Sequence, residues 1–304
     1  MKGKKRMSEQ FTLTWTVSEK DSGRLVREFL KEHDISKTAL TDIKFNGGDI
    51  LVNGEHVTVR YPLEQGDVLS VLFPPEVPSE GLTAENIPLD IVYEDEYILV
   101  INKPPFLSSI PSREHPTGSL SHALLHYYGK HHIASTIHLV NRLDRDTSGL
   151  LIVAKHRYVH HLFSKEQRHH NIHRTYRAMV HGVLPVENGT IDAPIGRKSE
   201  SIIEREVRPD GQHAVTHYKV LERLDDCTYV QLKLETGRTH QIRVHLSHLG
   251  HPLLGDELYG GRRSEIERQA LHSYELNFYH PILQKAFSFT AEIPEDMRRL
   301  VQIR

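Results

Sequence analysis

Between His138 and His156 the sequence HLVNRLDRDTSGLLIVAKH passes from a charged, polar stretch into an unbroken apolar run, Leu150 to Ala154. A short apolar run bounded by turn residues is the pattern of a buried strand, and Thr147-Ser148-Gly149 supply the turn that feeds it. Ahead of the turn, Arg142, Asp144 and Asp146 fall within five positions. On an extended backbone, alternation places Asp144 and Asp146 on one side and Arg145 on the other. Spacing alone does not rank the two carboxylates. Asp-x-Asp-x-Ser-Gly by itself is the composition of an ordinary Asx turn. A calcium loop would put Asp144, Asp146, Ser148 and Gly149 at its first, third, fifth and sixth positions, but Lys155 stands twelfth, where a bidentate Glu is required. The aspartyl-phosphate phosphatase motif needs an apolar strand before its first Asp, and here the strand follows.

Other function classes are bounded by composition. With 304 residues, 38% of them hydrophobic, the chain is long enough for one large or two modest cores. A formal net charge of −2 argues against generic polyanion binding, so nucleic-acid contact has to come from local patches. Cys227 is the only cysteine, which rules out an internal disulfide and any Cys-rich metal site and fits a reducing compartment, so a cytoplasmic address is expected. The opening MKGKKRMSEQ, residues 1–10, is a flexible basic arm with no apolar run behind it, and no segment approaches the roughly 18 apolar residues of a membrane span. His245, His248 and His251 have spacings that suggest zinc. They come without a carboxylate, in a chain with 23 histidines, so no metal is expected. Neither Gly-x-Gly-x-x-Gly nor a phosphate loop occurs, and no cofactor is expected.

Taken in order, residues 11–73 offer a strand, FTLTWTV, then a helix with Leu25, Val26, Phe29 and Leu30 on one face and Arg24, Arg27 and Lys31 on another. Ser36 caps a second short helix carrying Lys37, and a hairpin turns at Asn53-Gly54 before the closing strand GDVLSVLF. Residues 74–86 are rich in Pro, Glu and Ser and form a linker. From residue 87 the pattern gives a hairpin through IVYEDEYILVINKPP, a helix over 118–128, the strand after Asp144 and a helix through HRYVHHLFSKEQRHH. Three strands follow, of which NIHRTYRAMVHG carries Tyr176 on an inward face. Last comes a helix in GRTHQIRVHLSHLG, with Thr239 as N-cap and Arg243 in its first turns.

Two resemblances carry the functional expectation. Gly23 to Phe73, with its VNG hairpin and later GD, resembles the S4 RNA-binding domain, which presents a basic face to structured RNA. The remainder is similar to the RluA family of pseudouridine synthases through VYEDEYILVINKPP, NRLDRDTSGLLIVAK, HRTYRAMVHG and LETGRTHQIRVHLSHLGHPLLGDELYG. That likeness implies an α+β catalytic domain over 87–304 with a mixed, largely antiparallel sheet, preceded by a small, separately folded and mobile S4-like domain. It implies Asp144 as catalytic carboxylate, Tyr176 against the target uracil and Arg243 paired with the aspartate. Arg142, Arg238, His240, Gln241 and Lys103 are expected at the substrate, and Arg24, Arg27 and Lys37 on the RNA-binding face. The implied partner is structured RNA, ribosomal or transfer, met by a monomer without metal. Asn141 stands where the family commonly has His, and KPPFLSSIPS replaces the usual Lys-Pro-Ala-Gly. The alternatives are a non-catalytic S4-type RNA-binding or ribosome-assembly factor and, with metal, a phosphatase.

Overall fold

The computed structural model describes residues 10–78 and 81–302, so the basic arm expected over 1–10 lies, save Gln10, outside the described residues. The first lobe contains β1 (Thr12–Thr16), α1 (Val26–Glu32), α2 (Lys37–Phe45), β2 (Asp49–Val52), β3 (Glu55–His56) and β4 (Val68–Leu72), with the sheet order β1-β4-β2-β3. Asn53 and Gly54 both adopt positive φ, 52° and 87°, as a two-residue hairpin turn between β2 and β3 requires. Val26, Phe29, Leu30 and Ile43 turn inward from the two helices onto Ile50, Leu69 and Val71.

The larger body follows with β5 (Ile91–Glu94), β6 (Ile98–Lys103), α3 (Leu120–His131), β7 (His138–Leu139), β8 (Ser148–Ala154) and α4 (Arg157–Arg168). Then come β9 (Ile172–His181), β10 (Asn188–Asp192), β11 (Ile195–Arg197), β12 (Arg205–Val207), β13 (Val215–Arg223) and β14 (Cys227–Leu234). The last elements are α5 (Gln241–His248), β15 (Leu271–His280), β16 (Lys285–Thr290) and α6 (Glu295–Gln302). One sheet runs β10-β13-β14-β9-β15-β8-β6-β5, with β16 on β15 and β7 on β8. Among its described pairings only β15 with β8 is parallel. The fold is therefore the expected mixed, largely antiparallel α+β arrangement. Every residue of β8 is buried, which explains why its sequence shows no alternation. Leu120, Leu124 and Tyr128 of α3 and Ile242 and Leu246 of α5 cover one face of the sheet, and Val159 and Phe163 of α4 cover the other.

The first lobe has a core of its own and also touches the larger body. Phe11 and Leu13 belong to the core under α4, and the Phe11 ring stacks on His156 at 3.8 Å. The Tyr158 hydroxyl donates to the His33 carbonyl at 2.7 Å, and Lys165 pairs with Asp34 at 2.8 Å. The linker is laid down as well: Glu76 accepts from the Arg157 N–H at 2.7 Å and contacts His138, while the Glu85 N–H donates to the His122 carbonyl. No described helix is long and apolar enough to cross a membrane.

Candidate active site

The Asp144 loop is not extended. The Thr147 N–H donates to the Asp144 carbonyl at 3.1 Å, closing a turn that carries the two aspartates to different partners. Buried side chains from elsewhere in the chain hold this turn in place. The Ser109 hydroxyl donates to the Leu143 carbonyl (2.6 Å) and accepts from the Leu143 N–H (3.2 Å). Lys103 Nζ donates to the carbonyls of Pro104, Leu107 and Arg145, at 2.8, 2.8 and 3.0 Å. Arg268 Nη1 reaches the Asp146 carbonyl at 3.1 Å, and Gln269 Nε2 the Thr147 hydroxyl at 3.2 Å. Gly149 lets the turn enter β8: its φ is +108°, and a Cβ there would lie 2.2 Å from the Ser273 carbonyl oxygen of β15.

So held, Asp144 points at α5. Arg243 Nη1 donates to Asp144 Oδ2 at 3.1 Å, while its Nε and Nη2 grip both oxygens of Asp256 at 2.7 and 2.8 Å. This two-carboxylate clamp is the central electrostatic feature of the site. Burial opposes the Arg243 charge, but the Asp256 hydrogen bonds and the Asp144 charge outweigh it and raise its pKa above the ordinary arginine value. The Tyr259 ring lies over the guanidinium, 4.9 Å from centroid to carbon, and accounts for its remaining face. His240 Nε2 is 3.9 Å from Asp144, and Nδ1 is hydrogen-bonded to the Tyr259 hydroxyl at 2.8 Å. Burial lowers the His240 pKa, leaving the ring neutral near pH 7 and Arg243 as the cation that holds the aspartate.

Tyr176 rises from β9 beside this pair, almost fully buried, and burial raises its pKa. Asp144, Tyr176, Arg243, Arg142, Arg238 and His240 together line a cavity of about 510 Å³. That size falls within the usual range for a small-molecule site, on the order of 300–1,000 Å³. Arg142 is exposed at the rim, and Arg238 anchors itself through Nε to the His213 carbonyl at 2.9 Å.

Several expected roles change. Lys103 is 0% exposed and spends all three hydrogens on backbone carbonyls, so it shapes the Asp144 turn and cannot reach RNA. Burial pushes its pKa down to about 7 against the opposing charges of Asp144 and Asp146. Gln241 is likewise buried and spent: Oε1 accepts from Thr236 and the Arg238 N–H, and Nε2 donates to Val215 and Thr216. Thr239 is not the N-cap expected for α5. The residue preceding the helix is His240, in the left-handed region at φ 58°, and it makes no side-chain cap. Asp146 pairs with Arg145 at 3.1 Å rather than with the turn's N–H groups. In the first lobe, Arg24 sits between Asp21 (3.2 Å) and Glu32, and Arg27 lies 3.8 Å from Glu28, so both charges are matched locally. Lys37 has no carboxylate partner among the described residues and lines a cleft between α2 and α4. His245 is satisfied at both nitrogens by Thr216 and the Ala193 carbonyl, which removes it from any zinc set.

Sequence reasoning missed Asp256, Tyr259, Ser109 and Arg268. Asp256 and Tyr259 lie within GDELYG, quoted for its likeness but given no role, and nothing in a spacing of 13 residues signals a contact back to Arg243.

A family model described as RNA pseudouridylate synthase matches residues 97–248. An uncharacterized RNA pseudouridine synthase of Bacillus subtilis (strain 168), YjbO, is 58% identical over 91% of this chain and 98% of its own length. The ribosomal large subunit pseudouridine synthase D of Vibrio parahaemolyticus serotype O3:K6 is 39% identical, covering 96% of this chain and 94% of that protein. Among solved structures, human RNA Pseudouridylate Synthase Domain Containing 1 superposes with a TM-score of 0.57 at 25% identity, over 75% of this chain and 96% of the other.

Proposed function

Because the chain belongs to the RluA family of RNA pseudouridine synthases, we propose that Asp144 carries the isomerisation of uridine and that the substrate is structured ribosomal RNA. The observation that supports Asp144 is the clamp. Asp256 fixes Arg243 bidentately, and the one remaining arm of the guanidinium holds Asp144 at the cavity wall beside Tyr176.

In the reaction the N1–C1′ bond of uridine breaks, the uracil turns within the pocket and C5 bonds to C1′. Asp144, ionised beside the guanidinium, acts either as nucleophile at C1′ or as the base that removes a sugar proton. Stacked RNA hides these atoms, so the nucleotide is flipped out at a cost of a few kcal/mol. Packing of the uracil against Tyr176 recovers about 1–3 kcal/mol. Arg142, at the rim, fills the vacated stack or holds a phosphate. Arg238 and His240 line the way in, the first as a cation and the second as a neutral donor.

The first lobe acts as an S4-type RNA-binding domain. Its contact rests on Lys31, Lys37 and Lys44, which have no carboxylate partner among the described residues, and on Phe45, which is 72% exposed with Lys44 Nζ 5.0 Å from its ring centroid. A monomer working in the cytoplasm, where ribosomal RNA is modified, completes the reading. The test is a map of pseudouridine in total RNA from cells with and without the gene. A site in large-subunit ribosomal RNA that disappears with the gene supports the substrate, and one found only in transfer RNA replaces it.

A further inference from the structure

Two residues before Tyr176, on the same strand, lies a buried arginine that the mechanism above does not use. Arg174 is 7% exposed and lines the same cavity as Asp144 and Tyr176. Its Nε is buried without a hydrogen-bond partner, and no carboxylate among the described residues comes within ion-pair distance of it. The contrast with the other buried arginines is sharp. Arg243 has three bonds to two carboxylates, and Arg268 grips Asp296 at 2.6 and 2.9 Å as well as three backbone carbonyls. Of the three buried arginines among the described residues, Arg174 alone has neither a hydrogen-bond nor an ion-pair partner, an arrangement that costs stability and is retained where something outside the chain supplies the counter-charge. The loop opposite has been kept thin around it: a Cβ on Gly237 would come within 3.3 Å of both Nη1 and Nη2. A second unpartnered donor faces the same cavity. Asn141 Oδ1 accepts from the Ile152 N–H at 2.9 Å, and its buried Nδ2 has no acceptor.

We propose that Arg174, assisted by Asn141 Nδ2, is the receptor for a backbone phosphate of the RNA at the target nucleotide. The chemistry selects the ligand. A guanidinium offers only donors, in a planar fork that matches two phosphate oxygens, and phosphate is the only anion in RNA. Of the two acids lining the same cavity, Asp144 is already claimed by Arg243 and Asp146 by Arg145. The site is thereby divided between a carboxylate that meets the sugar and an arginine that meets the phosphate. Arg174 is a binding and positioning residue, and Asn141 gains a task in the place where the family commonly has His. This inference rests on the cavity being the uridine site.

The test uses the full-length protein and total RNA from cells lacking the gene, with enzyme in excess, so that single-turnover pseudouridine formation gives a plateau rate and a half-saturating enzyme concentration. Arg174→Met is expected to raise the half-saturating concentration about 10- to 100-fold, the range of a charge-assisted contact, while the plateau rate stays within about threefold. The salt dependence of binding should become shallower by about 0.7–0.9 in log–log slope, the share of one phosphate. Arg174→Lys should recover part of the loss. The melting temperature of free Arg174→Met should equal or exceed that of the wild type, since no protein hydrogen bond is removed. A lower melting temperature with unchanged half-saturation in both variants would make the arginine a packing residue and overturn the proposal. So would a fall in plateau rate at unchanged half-saturation, which would place it on the reacting atoms. Asp144→Asn on the same RNA reads the uridine-site assignment separately, since turnover that survives it would move the reaction out of this cavity, so the two ideas fail independently.

Discussion

The first lobe and the sheet-centred body treat charge in opposite ways. In the lobe, basic side chains sit at the surface, and the two arginines most legible as an RNA-binding stripe, Arg24 and Arg27, are matched by nearby acids. In the body, Arg243, Arg268, Lys103 and Arg174 are buried, and the first three have their hydrogens directed to named acceptors. Exposed charge is screened and interchangeable, worth about 0–1 kcal/mol per pair, whereas removing one partner from a buried pair costs about 3–5 kcal/mol. The body should therefore carry the chemistry and the lobe only add affinity.

The largest effect should come from Asp144→Asn, which keeps volume but removes the carboxylate. Single-turnover pseudouridine formation should fall about 10⁴-fold, the upper range for loss of an acid–base group, with melting temperature and RNA affinity retained. Arg243→Met should lower the rate similarly by freeing Asp144. A well-folded Asp144→Asn enzyme that turns over at wild-type rate would end the contrast between the regions.

Asp256→Ala, next in size, should destabilise the fold by about 3–5 kcal/mol in denaturant titration, because it strands a buried guanidinium. Lys103→Met leaves three carbonyls without their donor and should cost about 1–3 kcal/mol. Its pH dependence has a definite sign. Between about 7 and the ordinary lysine value of 10.5, the unfolded chain holds a proton that the folded one has released, which leaves the folded amine two hydrogens for its three carbonyls. Wild-type stability should therefore gain from that linkage as pH rises through the window, and Lys103→Met should lack the gain. A wild type whose pH profile matches that of the variant would remove Lys103 from this role.

The smallest effects belong to surface charge. Serine at Lys31, Lys37 and Lys44 together should weaken RNA binding and flatten its salt dependence without altering the plateau rate. Asp146→Asn should shift stability by no more than about 0.5 kcal/mol, since it loses one exposed pair with Arg145.

How much was legible follows from the range of the interactions. The buried strand β8, the Asn53-Gly54 hairpin, the inward faces of α1 and α4 and the pairing of Asp144 with Arg243 were all carried by local pattern or by motif likeness. The failures have one cause. Lys103 and Gln241 were read as substrate contacts from motif likeness, but a motif does not report burial, and both are spent on partners within the chain. The alternation that put Asp144 and Asp146 together assumed an extended backbone, and a single hydrogen bond from Thr147 to Asp144 undoes it. Asp256 and Arg268 act across the fold, where spacing carries no information.

Phe11 and Leu13 bear on how this chain could have been assembled. They lie at the start of the first lobe, yet they fill the back face of the catalytic sheet beside Ile98, Val100 and Ile152. A ledger of parts divided at residue 73 would give the lobe to one ancestor and the sheet to another, but the seam in the packing runs elsewhere. Cutting the lobe away at residue 73 would take Phe11 and Leu13 with it and open the apolar face behind β6 and β8 to water.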